Sequence, residues 1–195
     1  MKETFPKEFY DDGNVKQLKW DIYFLRIARE VSENSKCLSR KIGAVLVRDN
    51  SIISTGYNGP ARGVRHCNDR CIDFYINLER GPKGTPFEFD DSKKLDQCPR
   101  RRFGYESGKG LHLCQAGHAE RNALIQAARN GISTLGTTLY AYCGQICKDC
   151  AIELINAGVK ELVYLEGPEY DGYSGAILTE GGVLVRKVRE DLLCK

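Results

Sequence analysis

From His118 to Val188 the sequence alternates helical and strand-like stretches with little room between them. Ala119–Arg129 is alanine-rich, lacks Gly and Pro, and runs into the stop signal Asn130–Gly131, so it reads as a helix. Thr137–Tyr142 reads as a strand and Cys147–Asn156 as a helix stopped by Gly158. Lys160–Leu165 is a strand, Ser174–Glu180 a short helix before Gly181–Gly182, and Val183–Val188 a last strand. Strands joined by helices in such short units pair in parallel through right-handed crossovers. The second half of the chain is therefore confined to an α/β arrangement.

The first half supplies a helix and a hairpin. Residues 1–15 read as an irregular lead-in, broken by Pro6 and by Asp11–Asp12–Gly13–Asn14. Over 18–33, Trp20, Phe24, Ile27 and Val31 recur at helical spacing beside a second stripe of Leu18, Ile22, Leu25 and Ala28. Two stripes give a broad apolar face, suited to packing on a sheet. Gly43–Val47 and Ile52–Thr55 are short and β-branched, with the polar run Arg48–Ser51 between them, which predicts a hairpin. Gly56–Pro60 reads as a turn-rich exit.

Residues 61–116 carry many breakers and little periodicity, apart from a short helix over Ile72–Leu78. An irregular connection this long is uncommon in a compact domain. The layout predicts one domain over residues 1–195, with an insertion at about 61–116. The segment contains His66, Cys67, Cys71, Cys98, His112 and Cys114. It is either tied down by a metal or left as reduced thiols in a flexible loop.

Composition bounds the partners and the compartment. A net charge of +3 does not call for nucleic acid or an anionic membrane. No stretch is apolar enough to span a bilayer, and Met1–Tyr10 has no apolar signal core. A cytoplasmic setting is expected, where nine cysteines read as thiols or metal ligands and not as disulfides.

His118–Ala119–Glu120, answered by Cys147–Lys148–Asp149–Cys150, carries the chemistry. Cys147 and Cys150 stand three apart at a predicted helix start, so both sulfurs face one way. The helix dipole there favours thiolates, the form that binds zinc. His118 opens the preceding helix. One histidine and two cysteines leave a fourth zinc position open, which is the pattern of a catalytic site. Zinc brings the ionisation of water near pH 7. A carboxylate such as Glu120 can then shuttle protons to a leaving amine. Taken alone, Cys-x-x-Cys is as well a structural or redox pair, and His-x-Glu means little. Together, in this order, they match the signature of zinc deaminases.

Here the chain resembles the zinc-dependent cytidine/deoxycytidylate deaminase superfamily, and within it the deoxycytidylate deaminases. The likeness covers roughly 18–60 and 110–166. Trp20, Tyr23–Phe24 and Ala28, followed by Ser35–Lys36–Cys37, resemble the family's opening helix. Lys41–Val47 and Ile53–Pro60 resemble its hairpin and nucleotide loop, and His118–Ala123 and Leu154–Lys160 are similar too. The resemblance implies a three-layer α/β/α cytidine-deaminase-like fold, with a mixed five-stranded sheet and helices on both faces. It implies a catalytic zinc on His118, Cys147 and Cys150, with Glu120 as proton shuttle. Asn58 would hydrogen-bond the nucleoside, and the Ala119 backbone would line the base pocket. The implied reaction is dCMP to dUMP and ammonia, supplying dUMP for thymidylate synthesis. A homo-oligomer and dCTP or dTTP effectors are implied as partners. Some members carry a second, structural zinc; Cys37, His66, Cys67, Cys98 and Cys114 form the pool at similar positions, with His66 favoured over Cys67.

The chain departs from the family at one loop. The proline that precedes the first metal cysteine is replaced by Ile146, and Tyr142–Ile146 is one residue longer. Cys143 reads as a small loop or core residue, and Cys194 as a free thiol. Arg100–Arg101–Arg102 is either a solvated surface or a contact for a 5′-phosphate. Two other functions stand beside the first. One is a deaminase of another cytosine or adenine substrate, such as cytidine or adenosine in tRNA. This would need a continuous basic surface, which the balanced charge disfavours. The other is a non-catalytic zinc-stabilised binding protein, in which Glu120 would have no task.

Overall fold

A computed structural model describes residues 12–80, 95–106, 108–168 and 171–194. The lead-in Met1–Asp11, with its breakers Pro6 and Asp11, lies outside the described residues. The first helix, α1, spans Asp12–Ser32. It begins earlier than the predicted 18–33, because short polar residues break a helix interior yet suit its first turn.

Strands β1 (Gly43–Arg48) and β2 (Ser51–Tyr57) form the expected hairpin. Its turn needs only Asp49 and Asn50, both left-handed at φ 51° and 56°. That is the two-residue turn whose twist matches paired strands. β2 runs past Thr55 through Gly56 and Tyr57, which pair with Ala44 and Gly43. The turn-like composition at 56–57 misleads because Gly56 serves a packing need: a Cβ there would collide with the Ala119 carbonyl oxygen and the Ala123 nitrogen.

Within the insertion, the described residues hold a 3-10 turn at Cys67–Asp69, α2 (Ile72–Arg80), α3 (Pro99–Arg102) and a second 3-10 turn at Leu111–Leu113. Then follow α4 (Ala119–Arg129), β3 (Thr138–Tyr142), α5 (Lys148–Asn156), β4 (Glu161–Leu165), α6 (Gly172–Glu180) and β5 (Leu184–Val188). These match the predicted elements to within two residues at each end.

The five strands lie in the order β2-β1-β3-β4-β5. β1 is antiparallel to both β2 and β3, while β3, β4 and β5 are parallel. The sheet is therefore mixed, and it is covered on both faces. Ala44, Leu46, Leu139, Ala141, Leu162 and Tyr164 point to one side, where α4, α5 and α6 pack. Val45, Val47, Tyr140, Val163 and Leu165 point to the other, against α1 and the C-terminal 3-10 turn. Double coverage explains why β1 and β4 read as continuous apolar runs and not as alternating ones. The expected three-layer α/β/α fold is what the chain forms.

Two polar devices fix the layers. Ala119, Ala123 and Ala127 present a flat, fully buried stripe of α4 to the sheet, and Ser54 Oγ donates to the Ala123 carbonyl at 2.7 Å. On the opposite face Asp21 of α1 is 3 % exposed. It accepts from Arg186 Nε at 2.8 Å, from Tyr140 Oη at 3.1 Å and from Gln17 Nε2 at 2.9 Å. Arg186 also donates to Glu161 at 2.9 Å. Satisfied in this way, the buried carboxylate pins α1 to β3 and β5. Among the described residues the insertion has one small apolar cluster, centred on Tyr75, Leu95 and Leu113. Among the described residues no helix is long and apolar enough to cross a membrane.

Candidate metal centre

His118 and Cys147 are both N-cap residues with extended backbones, at φ −72°, ψ 153° and φ −78°, ψ 162°. Neither side chain caps its own helix, so each is left to face the space between the two helix starts. Cys150 follows one turn into α5 and is buried. His118 Nδ1 lies 3.4 Å from Cys147 Sγ and 3.3 Å from Cys150 Sγ. Zinc–nitrogen and zinc–sulfur bonds of ordinary length at a tetrahedral angle put N and S about 3.5 Å apart. The two N–S separations thus already match two edges of a zinc-sized tetrahedron. Among the described residues they are the one group of three or more such donors within 4.8 Å.

Charge at the centre agrees with that geometry. The hydrogen bond from Cys150, with His118 beside it, pulls the Cys147 thiol well below its ordinary range, and the same bond pushes Cys150 up. The hydrogen bond with Cys147 raises His118, against the opposing effect of burial. Glu120 is 4 % exposed on the first turn of α4. Burial raises its carboxyl, while a hydrogen bond from its own backbone N–H and the nearby His118 pull the other way. Glu120 also bears electrostatically on Cys143, whose thiol is raised chiefly by burial.

The hairpin reaches this centre through glycine. Gly59 and Gly117 exchange backbone hydrogen bonds at 3.1 and 2.8 Å, which sets the 58–60 loop beside His118. Asn122 Nδ2 donates to the Tyr57 carbonyl at 2.8 Å and closes the same corner. Asn58 is 6 % exposed. Its Oδ1 accepts from Ile42 N at 2.8 Å and its Nδ2 donates to the Arg40 carbonyl at 2.9 Å. The amide keeps one N–H and one lone pair for a ligand. Ala119 is fully buried at the first position of α4, where a backbone N–H has no partner within the helix.

The pool for a second metal is not drawn to ligand distance. Cys37, Cys98 and Cys114 all bear electrostatically on Cys67, whose thiol is raised by burial while the Tyr75 hydroxyl opposes the shift. The His66 ring lies toward Gly59; its Cε1 would be 4.0 Å from a Cβ placed there. Cys71 is buried and Cys194 exposed, both as free thiols. The arginine run forms α3, where Arg101 donates to the Tyr105 carbonyl at 3.3 Å.

Sequence reasoning missed Gln145, Asp171, Ser54 and Asn122 as supports of the centre. Asp171 had a signal, an Asp just before a helix start. The others make long-range bonds that no local pattern announces.

A three-donor group at paired helix starts on the edge of a doubly covered mixed sheet defines an α/β protein with a candidate metal centre. The family model for the cytidine and deoxycytidylate deaminase zinc-binding region matches residues 18–166, and the chain belongs to that family. It is 32 % identical over 169 residues to a deoxycytidylate deaminase of Schizosaccharomyces pombe, covering 86 % of this chain and 44 % of that protein. It is 38 % identical over 149 residues to the deoxycytidylate deaminase of Enterobacteria phage T2, covering 73 % and 77 %. The chain thus spans less than half the length of the S. pombe relative. Its fold is similar to that of a dCMP deaminase from the cyanophage S-TIM5, solved in complex with dCMP and dUMP, at TM-score 0.56 and 22 % identity over 92 % of this chain and all of that one.

Proposed function

We propose that the chain hydrolytically deaminates dCMP to dUMP and ammonia. The observation that carries this reading is the buried Glu120 carboxyl, two positions after His118 and in electrostatic contact with His118, Cys147 and Cys150. A structural zinc has four protein donors and no use for such a carboxyl. His118, Cys147 and Cys150 would hold zinc, which when bound supplies a Lewis acid that favours ionisation of water. Glu120 moves the protons. It takes one from the attacking water, gives one to the ring nitrogen of the base and passes the next to the departing amine, so that water adds and ammonia leaves. The Ala119 N–H and the spare N–H and lone pair of Asn58 would orient base and sugar. The relatives named above support the choice of a deoxycytidylate substrate.

The same reading includes several subordinate proposals. Residues 1–195 work as one domain, in the cytoplasm, as a homo-oligomer of which exposed Leu135 and Ile125 offer apolar contact surface. Candidate effectors dCTP and dTTP rest on the family resemblance. A second zinc is proposed from the pool Cys37, His66, Cys67, Cys98 and Cys114, with His66 favoured over Cys67. Supporting it are the electrostatic effect of Cys37, Cys98 and Cys114 on Cys67 and the small core of the insertion, which a metal would supplement with folding energy.

The test is a panel of dCMP, CMP, cytidine, cytosine and a tRNA anticodon stem, scored by ammonia release. Preferred turnover of dCMP is expected. Preference for RNA, or no turnover of any of them, overturns the reading.

A further inference from the structure

Zinc deaminases carry a proline before the first metal cysteine, which fixes φ and stiffens the approach to the ligand. This chain has Ile146 there, in a longer loop, yet Cys147 must be held to within a fraction of an ångström to serve as a ligand. The far side of the loop shows what holds it. Asp171 Oδ2 accepts from the backbone N–H of Lys148, the first residue of α5, at 3.0 Å. The Asp171 N–H donates to Gln145 Oε1 at 3.2 Å. Asp171 Oδ1 accepts from Tyr173 N at 3.1 Å, so the residue is also the N-cap of α6. Cys147 is therefore gripped on both sides, at 145 and at 148, by one residue from another element. Its own side chain does not cap α5, because the sulfur faces His118 and Cys150. Asp171 supplies the missing cap from outside.

We propose that Asp171, with Gln145, is a positioning residue for the metal centre, doing for the Cys147 loop what the proline does elsewhere. This rests on the reading of His118, Cys147 and Cys150 as zinc ligands. Partners that orient metal ligands in this way are worth about 10- to 100-fold in metal affinity. Asp171→Ala removes both acceptors, Asp171→Asn leaves one, and Gln145→Ala removes the third bond.

The experiment loads the full chain with zinc and follows metal release to a chromogenic chelator. The cobalt-substituted protein is followed in parallel through its thiolate-to-metal charge-transfer band. Zinc release is expected to quicken by about tenfold or more in Asp171→Ala and by less in Asp171→Asn, with the cobalt band altered in both. The double variant Asp171→Ala/Gln145→Ala should release zinc faster than Asp171→Ala, since the bond from the Asp171 backbone N–H to Gln145 survives the first substitution and is lost only with the second. A purely structural cap on α6 would lower Tm and leave release and the cobalt band unchanged. Release within about twofold of the parent in the Asp171 variants overturns the proposal. If neither Asp171 variant folds, Gln145→Ala decides by the same criterion. Failure of the underlying zinc reading shows separately, as a parent protein with no more metal than His118→Ala.

Discussion

His118 Nδ1 stands 3.3 Å from Cys150 Sγ, although 32 residues separate them in sequence. The distance is set by two helix starts brought to one sheet edge, not by anything local to either motif. Removing one donor should therefore empty the centre without unfolding the sheet. Cys150→Ser and His118→Ala are each expected to lose the catalytic zinc, measured by metal analysis after dialysis. Thermal stability should fall only by the linkage contribution of the lost ion. Retention of full metal in both variants would contradict the ligand assignment.

Gly56 lies under α4 with no room for a side chain. Gly56→Ala should push the helix off the sheet at Ala119 and Ala123, costing about 1–3 kcal/mol by overpacking. Because that end of α4 carries His118 and Glu120, kcat should fall as well. Chemical denaturation and steady-state kinetics check both; a change confined to stability would separate the packing from the site.

Arg186 partners the buried Asp21. Arg186→Met leaves that carboxylate without its cation and is expected to destabilise by about 3 kcal/mol, the low end for a broken buried pair. Gln17 and Tyr140 still bond Asp21, which is why the low end is expected. Replacing both partners, as in Asp21→Leu/Arg186→Met, should cost less than Arg186→Met alone. Urea denaturation of the single and double variants measures this.

Tyr140 is raised above its ordinary range by burial and then by the Asp21 carboxylate. A raised acid keeps its proton longer when folded. Its contribution to stability is complete below the unfolded value of about 10 and drains as pH climbs from there toward the folded value. Tyr140→Phe should flatten the alkaline limb of the stability profile, measured by denaturation between neutral and strongly alkaline pH. An unchanged limb would place the alkaline loss elsewhere.

The fold was largely legible because periodicity and punctuation agreed. The α4 helix, the β3–α5–β4 run and the hairpin all carry strong local signals. Where reading and structure part, tertiary contact decides: Gly56 looks like a turn residue, but pairs in β2 because only glycine admits α4 there. The candidate donors Cys147 and Cys150 were legible because spacing on a helix is a local property; their meeting with His118 depends on the fold. The Asp171 clamp, the Asn122 corner and the occupation of the Asn58 amide by Arg40 and Ile42 were not. Each depends on which distant backbone atom the fold delivers. The insertion was least legible, having few apolar residues in register to announce its packing.

The central claim is that Glu120 performs proton transfer at a centre whose metal it does not hold. Glu120→Gln preserves shape and hydrogen bonding but not the exchangeable proton. Zinc content and kcat on dCMP, measured on the same preparation, test the claim directly. Full zinc with kcat reduced by about 10²- to 10⁴-fold is predicted. Unchanged turnover at full zinc would contradict it.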